Sequence, residues 1–215
     1  MTRVDTKQRI LDVAEVEFAD HGYAAASLRR IIGAAGVNLA AVHYHFKSKE
    51  GLLEAVLLRR AGPLNEERLR LLDRSEAKAG KAGASIEQII EAFIGPPMRL
   101  VLSPGGEGRA FGKLVGRLHA ESGDHFFPIM KKHFASVSQR FRGALRKACP
   151  KLPDEELFWR IYCVAGAMSH TLTHWHHLEA MSGGVMKTNN VEVAIERMVR
   201  FLAAGFRVEP KRKRK

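Results

Sequence analysis

The sequence predicts an all-α fold for its 215 residues. Apolar residues recur three and four positions apart through most of the chain, which is the spacing of an amphipathic helix. No segment alternates apolar and polar residues as a half-buried strand would, and the sequence has no Asn-Gly hairpin turn. Serine, asparagine and glycine stand at the ends of the periodic segments, where they cap and stop helices.

Three short helices are predicted at the start of the chain. The first covers about residues 5–20. Ser27 is the predicted N-cap of the second, and Asn38 that of the third, which ends near Phe46. The tight turn Ala35-Gly36-Val37 joins these two helices. Two short helices that follow a first one and are joined by a glycine turn predict a helix-turn-helix.

The remaining helices are predicted to be longer. The fourth begins at Ser48 without a capping box, because Gly51 occupies the position where Glu or Gln would be required. Gly62-Pro63 is expected to kink or break this helix, and Gly95-Pro96-Pro97 to kink the next one. Asp154 is the predicted N-cap of a later helix. The fourth helix is expected to reach about residue 75, and the others cover about residues 86–102, 107–121, 124–148, 154–181 and 191–206.

The positive charge is distributed unevenly along the chain. Lys and Arg number 35 against 23 acidic residues, which gives a net charge of +12. Residues 22–49 contain Arg29, Arg30, Lys47 and Lys49 and no acidic residue. Such a segment is expected to approach a polyanion, although a solvated basic edge on a small domain would give the same distribution. Two cysteines and the lack of a long apolar run favour a cytoplasmic protein with no disulfide scaffold and no membrane span.

Residues 22–53 resemble the DNA-binding signature of the TetR family of bacterial transcriptional regulators. The chain departs from the family pattern in having Ala26 for a threonine, Ala40-Ala41 for a pair that is usually small polar or glycine, and His43 for a tyrosine. The run 38–42 followed by Tyr-His-Phe also resembles a branch that includes a fatty-acid-responsive repressor. The motifs that carry the family resemblance are Gly22-Tyr23, Ser27, Ala35-Gly36-Val37, Tyr44-His45-Phe46 and Ser48-Lys49-Glu50.

The third helix is predicted to have a buried side and a side available to DNA. Val42 and Phe46 lie four positions apart and are expected to face the core. The methyl groups of Ala40 and Ala41 could contact thymine methyls in the major groove. Lys49, at the start of the fourth helix, is expected to hold a phosphate. The predicted DNA-binding residues are Ser27, Arg29, Asn38, Leu39 (placed by the resemblance), Ala40, Ala41, His43, Tyr44, His45 and Lys49.

The resemblance implies that the rest of the chain binds a small molecule and dimerises through its last two long helices. A pocket lined by phenylalanine and methionine side chains suits an apolar ligand. Arg99, Arg109 or Arg117 could neutralise a carboxylate of the ligand if its side chain points inward. An apolar stripe in the helix 154–181 fits a dimer interface, although the same stripe could be core. The predicted ligand-binding residues are Phe93, Met98, Arg109, Phe111, Leu114, Arg117, Leu118, Phe127 and Met130. The predicted dimer-interface residues are Leu157, Ile161, Val164, Met168 and Leu172.

The resemblance therefore implies a homodimeric, ligand-responsive transcriptional regulator with no catalytic residues, metal or cofactor. A repressor is expected because repression is the commoner role in the family, although an activator would have the same sequence features. It would bind a near-palindromic operator in double-stranded DNA. A small apolar effector, fatty-acid-like or else an aromatic drug-like or plant-derived compound, would release it. The predicted domains are 1–52, a helix-turn-helix DNA-binding domain; 53–208, a ligand-binding and dimerisation domain; and 209–215, a basic disordered tail.

Two other functions are compatible with parts of the sequence. His170, His174 and His177 share one helical face at metal-ligand spacing, which would suit a metal-dependent hydrolase. No glutamate is interleaved between them as in His-Glu-x-x-His, which speaks against this alternative. A helical module that binds membrane lipid would need a basic amphipathic helix, whereas Arg29 and Arg30 lie on a short segment between turns.

Overall fold

The structure is a computed structural model that describes residues 5–103, 108–120 and 126–210, without the side chains of residues 119, 120, 126 and 127. Within these ranges it contains helices and no strand, so the predicted all-α fold class is confirmed. The predicted helix starts at 107 and 124, and residues 211–215 of the predicted tail, lie outside the described residues. The helices are α1 (Thr6–Ala25), α2 (Leu28–Ala35), α3 (Leu39–Phe46), α4 (Lys49–Ala79), α5 (Ile86–Leu102), α6 (Arg109–Ala120), α7 (Phe126–Ala148), α8 (Asp154–Met181) and α9 (Val191–Arg207).

Side-chain caps fix where most of these helices begin. The Asn38 side chain accepts a hydrogen bond from the Ala41 N–H at 2.9 Å. Ser85 and Gln88 form a reciprocal capping box at the start of α5. At the start of α8 the predicted cap is wrong, because Pro153 occupies the N-cap position. Asp154 is instead the first helical residue, and its carboxylate accepts a hydrogen bond from Arg146 at 2.5 Å.

The proline-containing segments do not end their helices. Pro63 lies inside α4, and Pro96 and Pro97 lie inside α5. The expected break at Gly62-Pro63 is therefore wrong. A proline costs a helix interior about 3 kcal/mol, which tertiary burial can offset. In α5 every residue from 94 to 98 is buried, and this packing stabilises the continuous helix.

None of the helices in the described ranges combines the length and the apolar character needed to cross a membrane.

The chain forms two compact units. The first unit comprises Met1–Pro63 and Gly106–His133, and the second comprises Leu64–Gly105 and Phe134–Lys215. The first unit thus adds α6 to the helices of the predicted DNA-binding domain. The predicted functional boundary at residues 52 and 53 stays a prediction, because compactness and function need not divide a chain at the same place.

In the first unit, charged residues connect α1 to α4. Glu15 on α1 is only 2% exposed, which makes its carboxylate costly to bury without partners. Arg59 on α4 donates to Glu15, and the Nε atom of Arg60 lies 3.4 Å from the same carboxylate. Arg59 also donates to Asp12 at 2.5 Å. These ion pairs fix the position of α4 along α1, while α6 packs on another part of α1.

In the second unit, α5 is the central helix and packs against both α8 and α9. Ile89, Ile90 and Met98 on α5 are among the largest fully buried side chains of the described residues. At the surface, the guanidinium of Arg99 donates two hydrogen bonds of 2.7 Å to Glu192, which ties α5 to the start of α9.

Candidate nucleic-acid interface and ligand cavity

The third helix has one side buried and the other exposed. Val42 is 1% exposed and Phe46 5%, as the four-residue spacing predicts for the core side. On the other side Leu39 is 46% exposed and Tyr44 75%. Among the other predicted DNA-binding residues of α3 and its cap, Asn38, Ala40 and His43 are exposed, whereas Ala41 and His45 are half-buried.

The turn before α3 depends on glycine. Gly36 has a left-handed backbone (φ 62°, ψ 41°), a conformation that residues with a Cβ atom rarely adopt. The N–H of Val37 donates back to the carbonyl of Ile32 at 3.1 Å. This hydrogen bond satisfies a carbonyl at the end of α2 and fixes the direction in which the chain enters α3.

The junction between α3 and α4 contains a glycine requirement that the sequence analysis missed. A Cβ atom at Gly51 would overlap the carbonyl oxygen of Phe46, so only glycine fits there without movement of the backbone. Ser48 caps α4 by accepting from the Gly51 N–H at 3.0 Å, and Lys47 has a left-handed backbone at φ 66°. The sequence showed that Gly51 prevents a capping box, but not that two backbones approach each other at this residue.

Polar contacts orient several of the exposed side chains. The Nδ1 atom of His43 lies 3.0 Å from the carbonyl oxygen of Lys47. Since a carbonyl only accepts, Nδ1 carries the hydrogen, and Nε2 of the neutral ring is an acceptor. Lys49 donates to the carbonyl of Ala24 at 3.3 Å, and its ammonium nitrogen lies 4.8 Å from the centre of the Tyr23 ring. These contacts hold Lys49 beside the turn between α1 and α2.

The basic segment 22–49 is less available to a polyanion than its sequence suggests. Arg30 donates to Glu17 at 2.7 Å and to the carbonyl of Ala25 at 2.9 Å. Burial alone would raise the pKa of Glu17, but hydrogen bonds from Arg30 and from the Ser27 N–H hold it below its usual value. Arg30 is therefore compensated by an acid outside the segment, whereas Arg29 is exposed.

Most of the predicted ligand-binding residues do not line a common cavity. Phe111, Leu114 and Leu118 are buried on α6, which packs against α1 in the first unit. Arg109 and Arg117 are exposed, and their part in ligand binding stays a prediction. Arg99 is bonded to Glu192 and Glu91. Of the other predicted residues, Met98 is fully buried core, Met130 is half-buried, and the Phe127 side chain lies outside the described residues.

Among the predicted ligand-binding residues with a described side chain, Phe93 alone lines a small apolar cavity in the second unit. This cavity has a volume of about 50 Å³. Its walls come from α5, α7 and α8 and are apolar except for one hydroxyl. The lining residues are Ile89, Ile90, Phe93, Ser138, Phe141, Leu145, Ile161 and Val164.

A buried arginine that the sequence analysis missed lies against the wall of this cavity. Arg68 on α4 is 5% exposed. Its Nε donates to the Phe93 carbonyl at 2.7 Å, and its Nη1 donates to Asn65 at 3.0 Å. Its guanidinium carbon lies 4.5 Å from the centre of the Phe93 ring. No periodic signal distinguished this arginine from the exposed ones around it.

The predicted dimer-interface stripe packs largely within its own chain. Leu157, Val164 and Leu172 are buried by their own chain, and half-buried Ile161 lines the cavity with Val164. That the stripe forms an interface stays a prediction. Met168 is half-buried and contacts Arg68. The exposed apolar residues of these two helices include Phe158, Trp159 and Tyr162 on α8 and Phe201 on α9.

The histidines of α8 do not form a metal site. His170, His174 and His177 are all exposed, and the His174 Nδ1 atom lies 3.1 Å from the His170 carbonyl. The rings of His170 and His174 are stacked, with their centres 4.3 Å apart. Across the described part of the chain, no three His, Cys, Asp or Glu residues are grouped so that they could hold a metal ion. The structure gives the hydrolase alternative no support.

Comparison with known proteins assigns both parts of the chain to one family. A capped helix-turn-helix ahead of a helical unit with an apolar cavity defines a transcriptional regulator of the helix-turn-helix class. Residues 10–56 match the family model for bacterial regulatory proteins of the tetR family. Residues 91–205 match the model for the tetracyclin repressor-like C-terminal domain. The chain belongs to the TetR family.

Curated relatives match over a limited part of the chain. The HTH-type transcriptional regulator SrpR of Pseudomonas putida is 43% identical over 60 residues, which is 28% of each chain. TtgW, an uncharacterized HTH-type transcriptional regulator from a strain of the same species, is also 43% identical over 60 residues, 28% of this chain and 45% of the relative. The match thus spans less than half of the length of these relatives.

Solved structures match over nearly the whole chain at low identity. The fatty acid degradation regulator FadR from Bacillus halodurans has a TM-score of 0.60 at 14% identity, covering 97% of this chain and 100% of its own. FadR from Bacillus subtilis, in complex with stearoyl-CoA, has a TM-score of 0.60 at 16% identity, covering 92% and 98%. At these identities the likeness concerns the fold alone.

The close approach of Gly51 to the Phe46 carbonyl predicts how substitution of this glycine changes the stability of the fold. Gly51→Ala places a methyl group against the Phe46 carbonyl, and we expect the free energy of unfolding to fall by about 2 kcal/mol. Gly62→Ala is the matched control, because nothing lies within 4 Å of a Cβ atom there and alanine favours helix by about 1 kcal/mol. Urea denaturation of the full chain measures both. Equal stability of the two variants would contradict the close approach.

Proposed function

We propose that the protein is a homodimeric repressor that binds a near-palindromic operator and releases it when a small apolar effector binds. The observation that carries this proposal is the exposed side of α3, which extends between two turns fixed by Gly36 and Gly51. In this proposal residues 1–52 bind DNA, and residues 53–208 bind the effector and dimerise.

The exposed side of α3 has the chemistry for the major groove. Leu39 and Ala40 near its start carry no bulky polar group, so the helix can come close to base edges and thymine methyls. The neutral ring of His43 can accept, through Nε2, a hydrogen bond from the amino group of adenine or cytosine. The Tyr44 hydroxyl and the Lys49 ammonium can bind phosphates and hold the register.

Dimerisation is proposed through exposed aromatic residues of α8 and α9. Phe158 and Tyr162 lie four residues apart on one face of α8 and are largely exposed. Phe201 on α9 is 79% exposed. The two helices are in contact, since Arg160 on α8 donates to the Gly205 carbonyl at the end of α9 at 2.9 Å. A second copy covering these aromatics would remove them from water and present two α3 helices to successive major grooves.

The effector proposal is supported by the small apolar cavity between α5, α7 and α8. Its lining, with Ser138 as the polar exception, suits an apolar molecule. The fold resembles that of a FadR structure that contains stearoyl-CoA, which favours an effector with an acyl group. This agrees with the sequence-based prediction of a fatty-acid-like effector. Release of DNA requires that the effector bind more tightly to the conformation that does not fit the operator.

Footprinting tests this function. The purified protein would be footprinted on the DNA upstream of its own gene and on random genomic fragments, at low and high salt. A protected, roughly symmetric site that survives the higher salt is expected. Uniform protection on all fragments that disappears at the higher salt would contradict sequence-specific regulation, because it indicates phosphate contacts alone.

Replacement of Lys49 tests the contact at the start of α4. Lys49→Ala should weaken binding to operator and random DNA alike and lower the salt slope of the affinity by about one. Lys81→Ala removes the same charge from the turn at Gly80–Ala82 and serves as the control. Fluorescence anisotropy at several salt concentrations gives both quantities. An unchanged slope for Lys49→Ala would mean that Lys49 makes no phosphate contact.

Replacement of Phe201 tests the dimer. Phe201→Glu would bury a charge in the proposed interface, and we expect monomers at concentrations where the unaltered chain is a dimer. Val185→Glu, which changes another exposed apolar residue in the turn after α8, should leave the dimer intact. Size-exclusion chromatography with light scattering measures the mass. A dimeric Phe201→Glu variant would exclude this face.

A further inference from the structure

Arg68 is a buried cation whose partners are all neutral. Its guanidinium contacts the Phe93 carbonyl, the Asn65 amide oxygen and the Met168 thioether. No carboxylate of the described residues lies within ion-pair distance of it. Other buried or half-buried arginines of the chain differ in this respect, since Arg59 contacts Asp12 and Glu15, and Arg140 contacts Asp73 and Glu76.

The hydrogen-bonding capacity of Arg68 is only partly used. A guanidinium has five N–H donors, and in Arg68 three contacts are made, one of them with sulfur at 3.6 Å. A thioether is a weak acceptor, so it compensates little of the cost of burying a charge. Burial lowers the pKa of Arg68 to about 10, and the group therefore remains a cation at neutral pH.

Two structural connections link this cation to the apolar cavity. Phe93 contributes its ring to the cavity wall, and the guanidinium lies against that ring. On α8, Val164 lines the cavity, and Met168, four residues later on the same face, contacts Arg68. The cavity therefore has apolar walls, and an uncompensated positive charge lies behind the wall residue Phe93, since Arg68 itself is not a lining residue.

We propose that Arg68 is the anchoring residue for an anionic effector whose carboxylate pairs with the guanidinium and whose apolar body enters the cavity. This inference rests on the proposed effector-responsive function and names the chemical class of the effector. The carboxylate replaces the Met168 thioether as the partner of Nη2. Methionine suits this exchange because its unbranched side chain repacks readily. A cavity of about 50 Å³ is smaller than the roughly 150 Å³ cavity that binds benzene, so an apolar body of that size or larger requires the cavity walls to move apart.

The anchoring role separates Arg68 from a merely structural arginine. A structural arginine would stabilise the fold and would make no distinction between a carboxylate and an alcohol of the same shape. An anchoring arginine is uncompensated in the free protein, so replacing it with a neutral side chain of similar length should leave the stability unchanged or higher. The same replacement should remove the preference for a carboxylate.

The test uses matched pairs of probes on the full chain, without DNA. Hexanoate is compared with 1-hexanol, decanoate with 1-decanol, and benzoate with benzyl alcohol, by isothermal titration calorimetry. Thermal unfolding is recorded for each protein. The variants are Arg68→Gln and Arg68→Met, which remove the charge, and Arg68→Lys, which keeps it. Arg70→Gln is the matched control, because Arg70 is exposed on the same helix and paired with Glu67 at the surface.

The expected result is that at least one carboxylate binds the unaltered chain about tenfold more tightly than its alcohol, as a charge-assisted hydrogen bond would give. Arg68→Gln and Arg68→Met should bind both members of that pair equally, with a Tm no lower than that of the unaltered chain. Arg68→Lys and Arg70→Gln should keep the preference. The proposal is overturned if no carboxylate is preferred, or if the preference survives in Arg68→Gln and Arg68→Met.

The readout also separates this inference from the proposed function. Binding of the probes is measured without an operator, so a chain that fails to repress can still give the Arg68-dependent preference. Conversely, a chain that binds an operator specifically but shows no carboxylate preference would retain its function as a regulator and lose the proposed effector class.

Discussion

The close approach of α4 to the end of α3 is the constraint on which the candidate interface depends. Only glycine fits at position 51, and the Ser48 hydroxyl and the left-handed backbone of Lys47 complete the junction. This junction and the burial of Val42 and Phe46 decide which side chains of α3 face outward. Further along, α4 carries Arg59 and Arg60, which contact Glu15, and then Arg68. This helix therefore contributes to both candidate sites.

Charge compensation distinguishes the cations that can serve a function from those that stabilise the fold. The count of 35 Lys and Arg residues overstates the number of cations available to a polyanion, because Arg30, Arg59 and Arg140 are bonded to acids of their own unit. Each of these ion pairs removes a cation from the set available to ligands. Arg68 is the opposite case, a cation kept from water and bonded to neutral groups.

Local features were predictable from the sequence and tertiary partners were not. The caps at Ser27 and Asn38 and the inward direction of Val42 and Phe46 follow from residue type and helical spacing, which act within one or two turns. The pairing of Arg30 with Glu17 joins two helices and has no periodic signature. The apolar stripe of α8 fits the pattern of a core and that of an interface equally, and periodicity does not say which partners cover it. Arg68 was missed for the same reason, since its burial comes from α5 and α8.

The central claim is that two copies of the exposed α3 side read DNA together. Selection of bound sequences from a random pool of duplexes by the full chain tests this most directly, because it requires no knowledge of the natural operator. The account predicts enrichment of an inverted repeat whose half-sites lie about one helical turn, or a multiple of it, apart. Enrichment of a single unrepeated site would contradict binding as a dimer. A pool without any enriched sequence would contradict sequence-specific recognition of bases by α3.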